Sequence, residues 1–127
     1  MSMQFSKSTR ESVFNKYDGH CAYCGCELKL SNYHIDHIHP KSGYIQVENG
    51  KPVSPNRIEN LNPSCRACNT YKHFYSIDEF RMYLKQMFES RQDYLFKSNT
   101  KFELAKKFGV ITVLEWDGLF YFERVKQ

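Results

Sequence analysis

The sequence contains no apolar run approaching the roughly 20 residues that a membrane-spanning helix requires. Its first seven residues also lack the apolar stretch of a secretory signal peptide. No internal repeat or low-complexity segment is present, so nothing points to a repeat architecture. We therefore expect a soluble cytoplasmic protein, of a bacterial or phage type, with no membrane partner.

The chain is too short for two ordinary domains. Its 127 residues, of which 41% are hydrophobic and 16% aromatic, suffice for one compact core. We therefore predict a single domain over residues 1–127. The 18 Lys and Arg residues exceed the 14 Asp and Glu residues and give a net charge of +4, which favours a polyanionic partner.

The five cysteines are an odd number, and four of them form two Cys-x-x-Cys pairs: Cys21, Cys24, Cys65 and Cys68. In a reducing cytoplasm this pattern indicates metal binding rather than disulfides. Each pair supplies two thiolates from one tight turn, and two pairs complete the tetrahedral site that zinc prefers. We predict a structural zinc site, because four cysteines leave no open position for catalysis. Cys26 is interpreted as a bystander, although it could compete with Cys24 for the metal.

Three helices are predicted from start signals in which Ser or Thr precedes Glu by three residues. The signals begin at Ser8, Ser76 and Thr100. The first helix is expected over residues 9–17 and ends before Gly19, which suits a left-handed exit. The third helix, residues 101–108, is short and ends at Gly109.

The first two helices each carry an apolar face. In the second, apolar residues recur at helical spacing and charged residues occupy the other side, so this helix should pack on the core. The residues expected to be buried are Val13, Phe14 and Tyr17 in the first helix and Ile77, Phe80, Tyr83, Leu84, Met87 and Phe88 in the second.

Two further regions favour extended structure. Residues 110–116 and 119–125 are rich in β-branched and aromatic residues, and Asp117 and Gly118 between them are a two-residue hairpin signal. We predict a C-terminal β-hairpin there. Between the cysteine pairs we expect a strand over residues 33–39, a loop rich in Gly and Pro, and an extended piece over residues 60–63.

The residues between and beside the cysteine pairs form a more specific pattern. They supply an Asp-His-x-x-Pro motif, an Asn-Leu pair, and a Cys-x-x-Cys-Asn motif followed three residues later by Lys, in the order Asp36, His37, Pro40, Asn60, Leu61, Cys65, Cys68, Asn69 and Lys72. Residues 21–73 thereby resemble the zinc-containing branch of the HNH endonuclease family. In place of the Gly-Gly that usually follows the Pro, this sequence has Ser42, Gly43 and Tyr44.

The resemblance implies a role for each motif residue. His37 would be the general base, because an imidazole is neutral and able to accept a proton near cytoplasmic pH. Asp36 and Asn69 would hold one divalent cation, and their oxygen ligands suit Mg²⁺ or Mn²⁺. Asn60 would fix either the loop or the His37 ring.

Three basic residues near the second cysteine pair have expected roles as well. His73 lies four residues after Asn69, one helical turn on, and is the candidate third metal ligand by resemblance to nuclease colicins. If His73 binds, the site should accept Ni²⁺, Co²⁺ or Zn²⁺ more readily. Arg66 and Lys72 are expected to contact backbone phosphates.

One geometric problem leaves alternatives open. In a regular strand Asp36 and His37 point to opposite faces, so both can line one site only where the strand breaks into a loop. If the strand stays straight, His34 shares a face with Asp36 and His39 shares one with His37. Either histidine could then be the working residue.

These observations predict an α+β protein. It comprises an N-terminal helix over residues 1–20, a ββα-metal core with zinc over residues 21–75, and helices with a hairpin over residues 76–127. The resemblance implies metal-dependent hydrolysis of DNA, with double-stranded DNA as the expected substrate, by nicking or double-strand cleavage. Double-strand breaks would require a homodimer or two successive nicks. The alternatives are a non-catalytic zinc module that binds nucleic acid and a nuclease that cleaves RNA.

Overall fold

The computed structural model describes residues 5–40, 47–89, 100–110 and 116–125. The chain divides into two compact units, one formed by Met1–Phe80 with Phe120–Gln127 and the other by Arg81–Leu119. Within the described ranges, none of the helices is both long enough and apolar enough to cross a membrane. The expectation of a single domain stays a prediction.

The first helix, α1, spans Lys7–Asn15. Ser6 rather than Ser8 is its N-cap, because the Ser6 hydroxyl accepts the Thr9 N–H at 3.1 Å. The predicted start at Ser8 is therefore wrong by about one half-turn. After the helix, Gly19 adopts a φ of +79° and its N–H donates to the Phe14 carbonyl at 3.0 Å, the left-handed exit that the sequence predicted.

In the described residues, four short strands follow in two antiparallel pairs. β1 (His34–His37) pairs with β4 (Leu61–Ser64), and β2 (Val47–Glu48) pairs with β3 (Lys51–Pro52). A 3₁₀ helix, Ile58–Asn60, leads directly into β4. The strand and the extended piece predicted on either side of the loop correspond to β1 and β4. The hairpin of β2 and β3 was not predicted, although the turn residues Asn49 and Gly50, with φ of 53° and 76°, are typical of a two-residue turn.

Helix α2, Arg66–Lys72, begins at the second cysteine pair, with Cys65 as its N-cap and Cys68 in its first turn, and helix α3 spans Ile77–Glu89. The predicted start of α3 is confirmed in detail. The Ser76 N–H donates to the Glu79 carboxylate at 2.9 Å, and the Glu79 N–H donates to the Ser76 hydroxyl at 3.2 Å. Helix α4, Thr100–Lys107, lies in the second unit and precedes Gly109, whose φ is +73°.

The prediction of a second strand in a C-terminal hairpin is wrong. Tyr121–Val125 form a short helix, α5, whereas residues 111–115, expected in the first strand, lie outside the described residues. The Glu123 carboxylate accepts the Phe120 N–H at 2.8 Å and so caps the helix start. The N–H groups of Tyr121 and Phe122 donate to the Tyr23 and Ala22 carbonyls. These contacts and aromatic burial outweigh the β propensity of the segment.

The first unit contains two apolar clusters. Val13, Tyr33 and Leu61 are buried together between α1 and the β1–β4 pair. A second, aromatic cluster surrounds the Tyr23 ring, which meets its neighbours edge-to-face at centroid distances of 5.4–6.0 Å, the neighbours being Phe80, Phe120 and Phe122. The predicted burial of Val13, Tyr17 and Phe80 is confirmed, and Phe14 is partly buried.

Candidate functional site

The two cysteine pairs are held by different backbone conformations. The first pair lies on a turn in which the Gly25 N–H donates to the Cys21 carbonyl at 3.0 Å and the Cys21 N–H donates to the Cys26 carbonyl at 2.8 Å. The second pair opens α2, where Cys65 is the N-cap and its sulfur accepts the Cys68 N–H at 3.4 Å. In each conformation the two thiols point in a common direction.

The four cysteine sulfurs lie within 4.8 Å of one another, and the Cys24 and Cys65 sulfurs are 3.9 Å apart. Zinc–sulfur bonds of about 2.3 Å in a regular tetrahedron place the sulfurs about 3.8 Å apart. The cluster therefore fits a structural zinc ion, as the spacing predicted. Among the described residues, these four cysteines are the one group of three or more His, Cys, Asp or Glu side chains that lie close enough to share a metal.

The thiols influence one another. A hydrogen bond with Cys68 lowers the pKa of the Cys21 thiol to about 4, although burial acts in the opposite direction. Cys21 is consequently poised as a thiolate, the form that binds zinc. Cys26 is exposed and outside the four-sulfur group. Its backbone carbonyl accepts the Cys21 N–H, and its thiol hydrogen-bonds with Cys24.

A buried polar network lies beside this cluster. The Asp36 carboxylate is 5% exposed and accepts hydrogen bonds from the Tyr23 hydroxyl and from the Lys72 ammonium, the latter at 3.0 Å. Lys72 is 0% exposed and also donates to the His37 carbonyl at 2.8 Å. Burial raises the pKa of Asp36, while the Lys72 charge opposes that shift. The network joins the first cysteine turn, β1 and α2.

The structure thus places two predicted site residues in the interior. Lys72 was expected to contact a phosphate, but its ammonium is enclosed by Asp36 and backbone carbonyls, so the expectation is corrected: its position is structural. Asp36 was expected to hold a divalent cation. The Tyr23 hydroxyl and the Lys72 ammonium both contact its Oδ2, so a cation would have to bind through Oδ1, and this role stays a prediction.

His37, the next residue along β1, has different surroundings. Its side chain is partly exposed, and its Nε2 lies 2.7 Å from the Asn56 side-chain oxygen. The Phe5 ring lies 6.1 Å from the imidazole, centroid to centroid. Asp36 and His37 thus have different partners, as expected of consecutive residues in a strand, although the His37 charge helps to lower the pKa of Asp36 against the effect of burial.

Asn60 fixes the loop rather than the His37 ring. Its side-chain oxygen accepts the His39 N–H at 2.8 Å, and its amide donates to the His39 carbonyl at 3.1 Å and the Pro55 carbonyl at 2.8 Å. The side chain is buried and joins two segments that are distant in sequence. Of the two roles left open for Asn60, these contacts correspond to the first.

The remaining predicted residues lie on or beside α2 and β1. Asn69 is partly buried within α2, and Arg66 is exposed at its first turn. His73 is exposed, has a φ of 50° and packs its ring 4.0 Å from that of Phe74. His73 is the C-cap of α2: its N–H donates to the Asn69 carbonyl at 3.1 Å, and its positive φ ends the helix there. His34 is partly buried in β1, and the side chain of His39 is exposed.

Two residues of the site were missed by sequence reasoning. Asn56 contacts the His37 ring although it lies in a loop with no motif of its own. Tyr23 anchors Asp36 from one of the two positions between Cys21 and Cys24. A Tyr hydroxyl buried next to a metal turn needs a polar partner, which is the signal that could have pointed to Tyr23.

Comparison with protein families agrees with this geometry. The family model for HNH endonuclease matches residues 21–74, which include both cysteine pairs, the β1–β4 pair and α2. A comparison with curated proteins gave no match. This match confirms, for residues 21–74, the resemblance to the HNH endonuclease family that the sequence predicted.

Proposed function

We propose that the chain is a DNA endonuclease that hydrolyses phosphodiester bonds with His37 as the general base. The observation that carries the proposal is the partly exposed His37 imidazole, held by Asn56 within the segment that matches the HNH endonuclease family. An imidazole accepts a proton from an attacking water at neutral pH and so generates the nucleophile.

The framework around His37 supports this role. An antiparallel strand pair, β1 and β4, followed by α2 supplies the ββα order that the proposal requires. The buried Lys72 holds the His37 carbonyl, and Asn60 holds His39 two residues later. His37 therefore extends from a backbone that is fixed on both sides. A fixed base is favoured because reaction rates depend steeply on the geometry of the reacting groups.

The proposal also includes a hard divalent cation, Mg²⁺ or Mn²⁺, or Ni²⁺ or Co²⁺ if an imidazole contributes. When bound, such a cation neutralises the negative charge that develops on a phosphate during cleavage. Asn69 and His73 remain proposed ligands. Asp36 is also a proposed ligand, through its Oδ1, because Lys72 and Tyr23 both engage Oδ2.

The proposed substrate is DNA in its double-stranded form. The net charge of +4 favours binding to a polyanion, and the exposed Arg66 at the start of α2 is a proposed phosphate contact. Cleavage of both strands would use a homodimer or two successive nicks. An RNA substrate on the same site would be distinguished by comparing matched DNA and RNA duplexes.

A non-catalytic zinc module that binds nucleic acid is the second candidate. The observation that favours it is the engagement of Asp36 by Lys72, which leaves that carboxylate with a structural partner. Such a module would retain the cysteine cluster but would not depend on His37.

A plasmid-nicking assay separates the two candidates. The parent protein, His37→Ala and His39→Ala are compared in Mg²⁺ or Mn²⁺ and again with a chelator. We expect the parent to convert supercoiled plasmid and His37→Ala to lose about 10²–10⁴-fold in rate, the usual contribution of a general base. His39→Ala is the matched control, because the same residue type is removed two positions away from an exposed side chain.

The outcomes divide cleanly. No cutting by the parent in either metal, or equal cutting by the parent and His37→Ala, would overturn the proposed nuclease function. A loss confined to His39→Ala would instead assign the base to that histidine.

A further inference from the structure

We propose that Asn56 is a positioning residue that fixes the tautomer and orientation of the His37 imidazole. The inference rests on the proposed function for its catalytic consequence, but the hydrogen bond itself can be tested without any substrate. Asn56 belongs to none of the motifs that suggested the site, and it lies 19 positions from His37 in the sequence.

The contact determines which ring nitrogen can act as the base. The Asn56 side-chain oxygen lies 2.7 Å from His37 Nε2. An amide oxygen can only accept a hydrogen bond, so the neutral imidazole must carry its proton on Nε2. The lone pair is then on Nδ1, for which the described part of the chain supplies no hydrogen-bond partner. Nδ1 is accordingly the nitrogen assigned to take a proton from water.

Asn56 is itself held in place. Its N–H donates to the Ser54 hydroxyl at 3.0 Å, which closes a tight local turn. The preceding carbonyl, that of Pro55, accepts from the buried Asn60 amide at 2.8 Å. The backbone on either side of the Asn56 nitrogen is therefore restrained, and its side chain has little freedom to leave the imidazole.

Asn60 connects both partners of this contact. The same side chain that holds Pro55, next to Asn56, also holds the N–H and the carbonyl of His39, two residues after His37. The buried Asn60 thus sets the separation between the segment that carries the base and the segment that carries Asn56. Its effect on the imidazole passes through Asn56 and not through a direct contact.

The ring is restrained on a second side by an apolar neighbour. The Phe5 ring lies 6.1 Å from the imidazole centroid at an interplanar angle of 43°. An apolar contact of this kind limits tilting of the imidazole but cannot discriminate between its two nitrogens. Among the described contacts of the His37 ring, Asn56 is the polar group that determines which ring nitrogen carries the proton.

The direct test measures the His37 ring by nitrogen NMR at a pH where imidazoles in general are neutral. The parent is compared with Asn56→Leu, which has similar size but no acceptor, and Asn56→Asp, which keeps an oxygen acceptor. Asn32→Leu, at another exposed asparagine, is the matched control.

We expect the parent, Asn56→Asp and the control to hold the proton on Nε2 with slowed solvent exchange. In Asn56→Leu the fraction with the proton on Nδ1 should rise, and the slowed exchange should disappear. An unchanged His37 tautomer and exchange rate in Asn56→Leu would overturn the inference, as would a parent whose proton lies on Nδ1.

Cleavage kinetics test the catalytic consequence. Loss of a hydrogen bond worth about 1.4 kcal/mol corresponds to a tenfold change, so Asn56→Leu should lower kcat about tenfold with KM unchanged, and Asn56→Asp should restore kcat. A change in KM alone, or no change in kcat, would contradict a positioning role. If His37→Ala cuts as well as the parent while Asn56→Leu still alters the tautomer, the proposed function fails and the hydrogen bond stands.

Discussion

At the scale of single residues, the buried ion pair of Asp36 and Lys72 carries the greatest energetic weight. Both side chains are almost fully excluded from solvent, and their charged atoms are 3.0 Å apart. Removing one partner of a buried pair leaves an uncompensated charge, which typically costs about 3–5 kcal/mol. The pair therefore acts mainly as a determinant of stability and strand position.

Lys72→Met is expected to lower the free energy of unfolding by about 3–5 kcal/mol. The double variant Asp36→Asn/Lys72→Met should recover part of this loss, because no buried charge remains. Urea denaturation of the three proteins measures the difference. Lys106→Met is the matched control, since the Lys106–Glu103 pair is at the surface, where an ion pair contributes about 0–1 kcal/mol.

The pH dependence of Lys72→Met has a definite sign. Burial raises the pKa of Asp36 above its ordinary value, and Lys72 opposes the shift. Without Lys72 the folded-state pKa rises further, so the contribution of Asp36 is most favourable below its unfolded pKa and is lost as pH increases through the folded value. The destabilisation should therefore shrink on acidification. A loss that is constant from acidic to neutral pH would contradict the burial of an uncompensated carboxylate.

At the scale of elements, helix α5 is attached to the turn of the first cysteine pair. Its Tyr121 and Phe122 N–H groups donate to the Tyr23 and Ala22 carbonyls. Gly25, which follows the pair, has a φ of +82°, and a Cβ there would lie 2.7 Å from Tyr121. The turn and the helix consequently fit only when position 25 has no side chain.

Gly25→Ala should destabilise the protein more than Gly50→Ala. Both glycines have positive φ, but nothing lies within 4 Å of a Cβ at Gly50. Each substitution costs about 1 kcal/mol for the left-handed backbone, and only Gly25→Ala adds the steric displacement of Tyr121. Thermal denaturation in the presence of zinc compares the two variants. Equal losses of melting temperature in the two variants would mean that α5 does not depend on the close approach of Tyr121 to position 25.

The sequence predicted elements best where a local chemical device defined them. The predictions of the Ser76–Glu79 capping box and of the left-handed Gly19 were correct, because each feature depends on short-range interactions. The segment after Leu119 was predicted as a strand from its β-branched and aromatic residues, yet it forms α5. Its burial against Tyr23 depends on contacts almost 100 positions away, which local propensity does not contain.

At the scale of the whole molecule, the two cysteine pairs close a long segment of chain. This segment contains β1, β4 and His37, and α2 extends from its second pair. Structural zinc sites contribute about 10–16 kcal/mol in small domains, which is comparable to or larger than a typical total stability of about 5–15 kcal/mol. The order of the proposed nuclease site should therefore depend on the metal.

Cys68→Ser is expected to lose bound zinc and to unfold the first unit or lower its melting temperature strongly. Cys26→Ser is the matched control, since Cys26 lies outside the four-sulfur group, and it should retain both zinc and stability. Metal content by atomic emission and melting by circular dichroism provide the two measurements. Equal zinc loss in both variants would assign Cys26 to the metal.

The site was predictable in its composition but less so in its arrangement. Spacing alone located the four cysteines, and the family pattern located His37 and Asn60. Neither indicated that Lys72 would be buried with Asp36 rather than exposed, because both residue types are ordinarily on the surface. The contact of Asn56 with His37 depends on how the loop folds back onto β1. Asn60 fixes that fold by donating to the Pro55 carbonyl, a contact that the sequence alone does not reveal.

The enclosure of Tyr23 by three phenylalanine rings also provides an optical reporter. Its ring is fixed edge-to-face against Phe80, Phe120 and Phe122, and it lies between the first two cysteines. An immobilised tyrosine in an asymmetric aromatic setting contributes to near-ultraviolet dichroism, a signal that fades when specific packing is lost. Stepwise withdrawal of the metal should therefore diminish that band in parallel with the loosening of the turn, so the integrity of the first cysteine turn can be followed without labels.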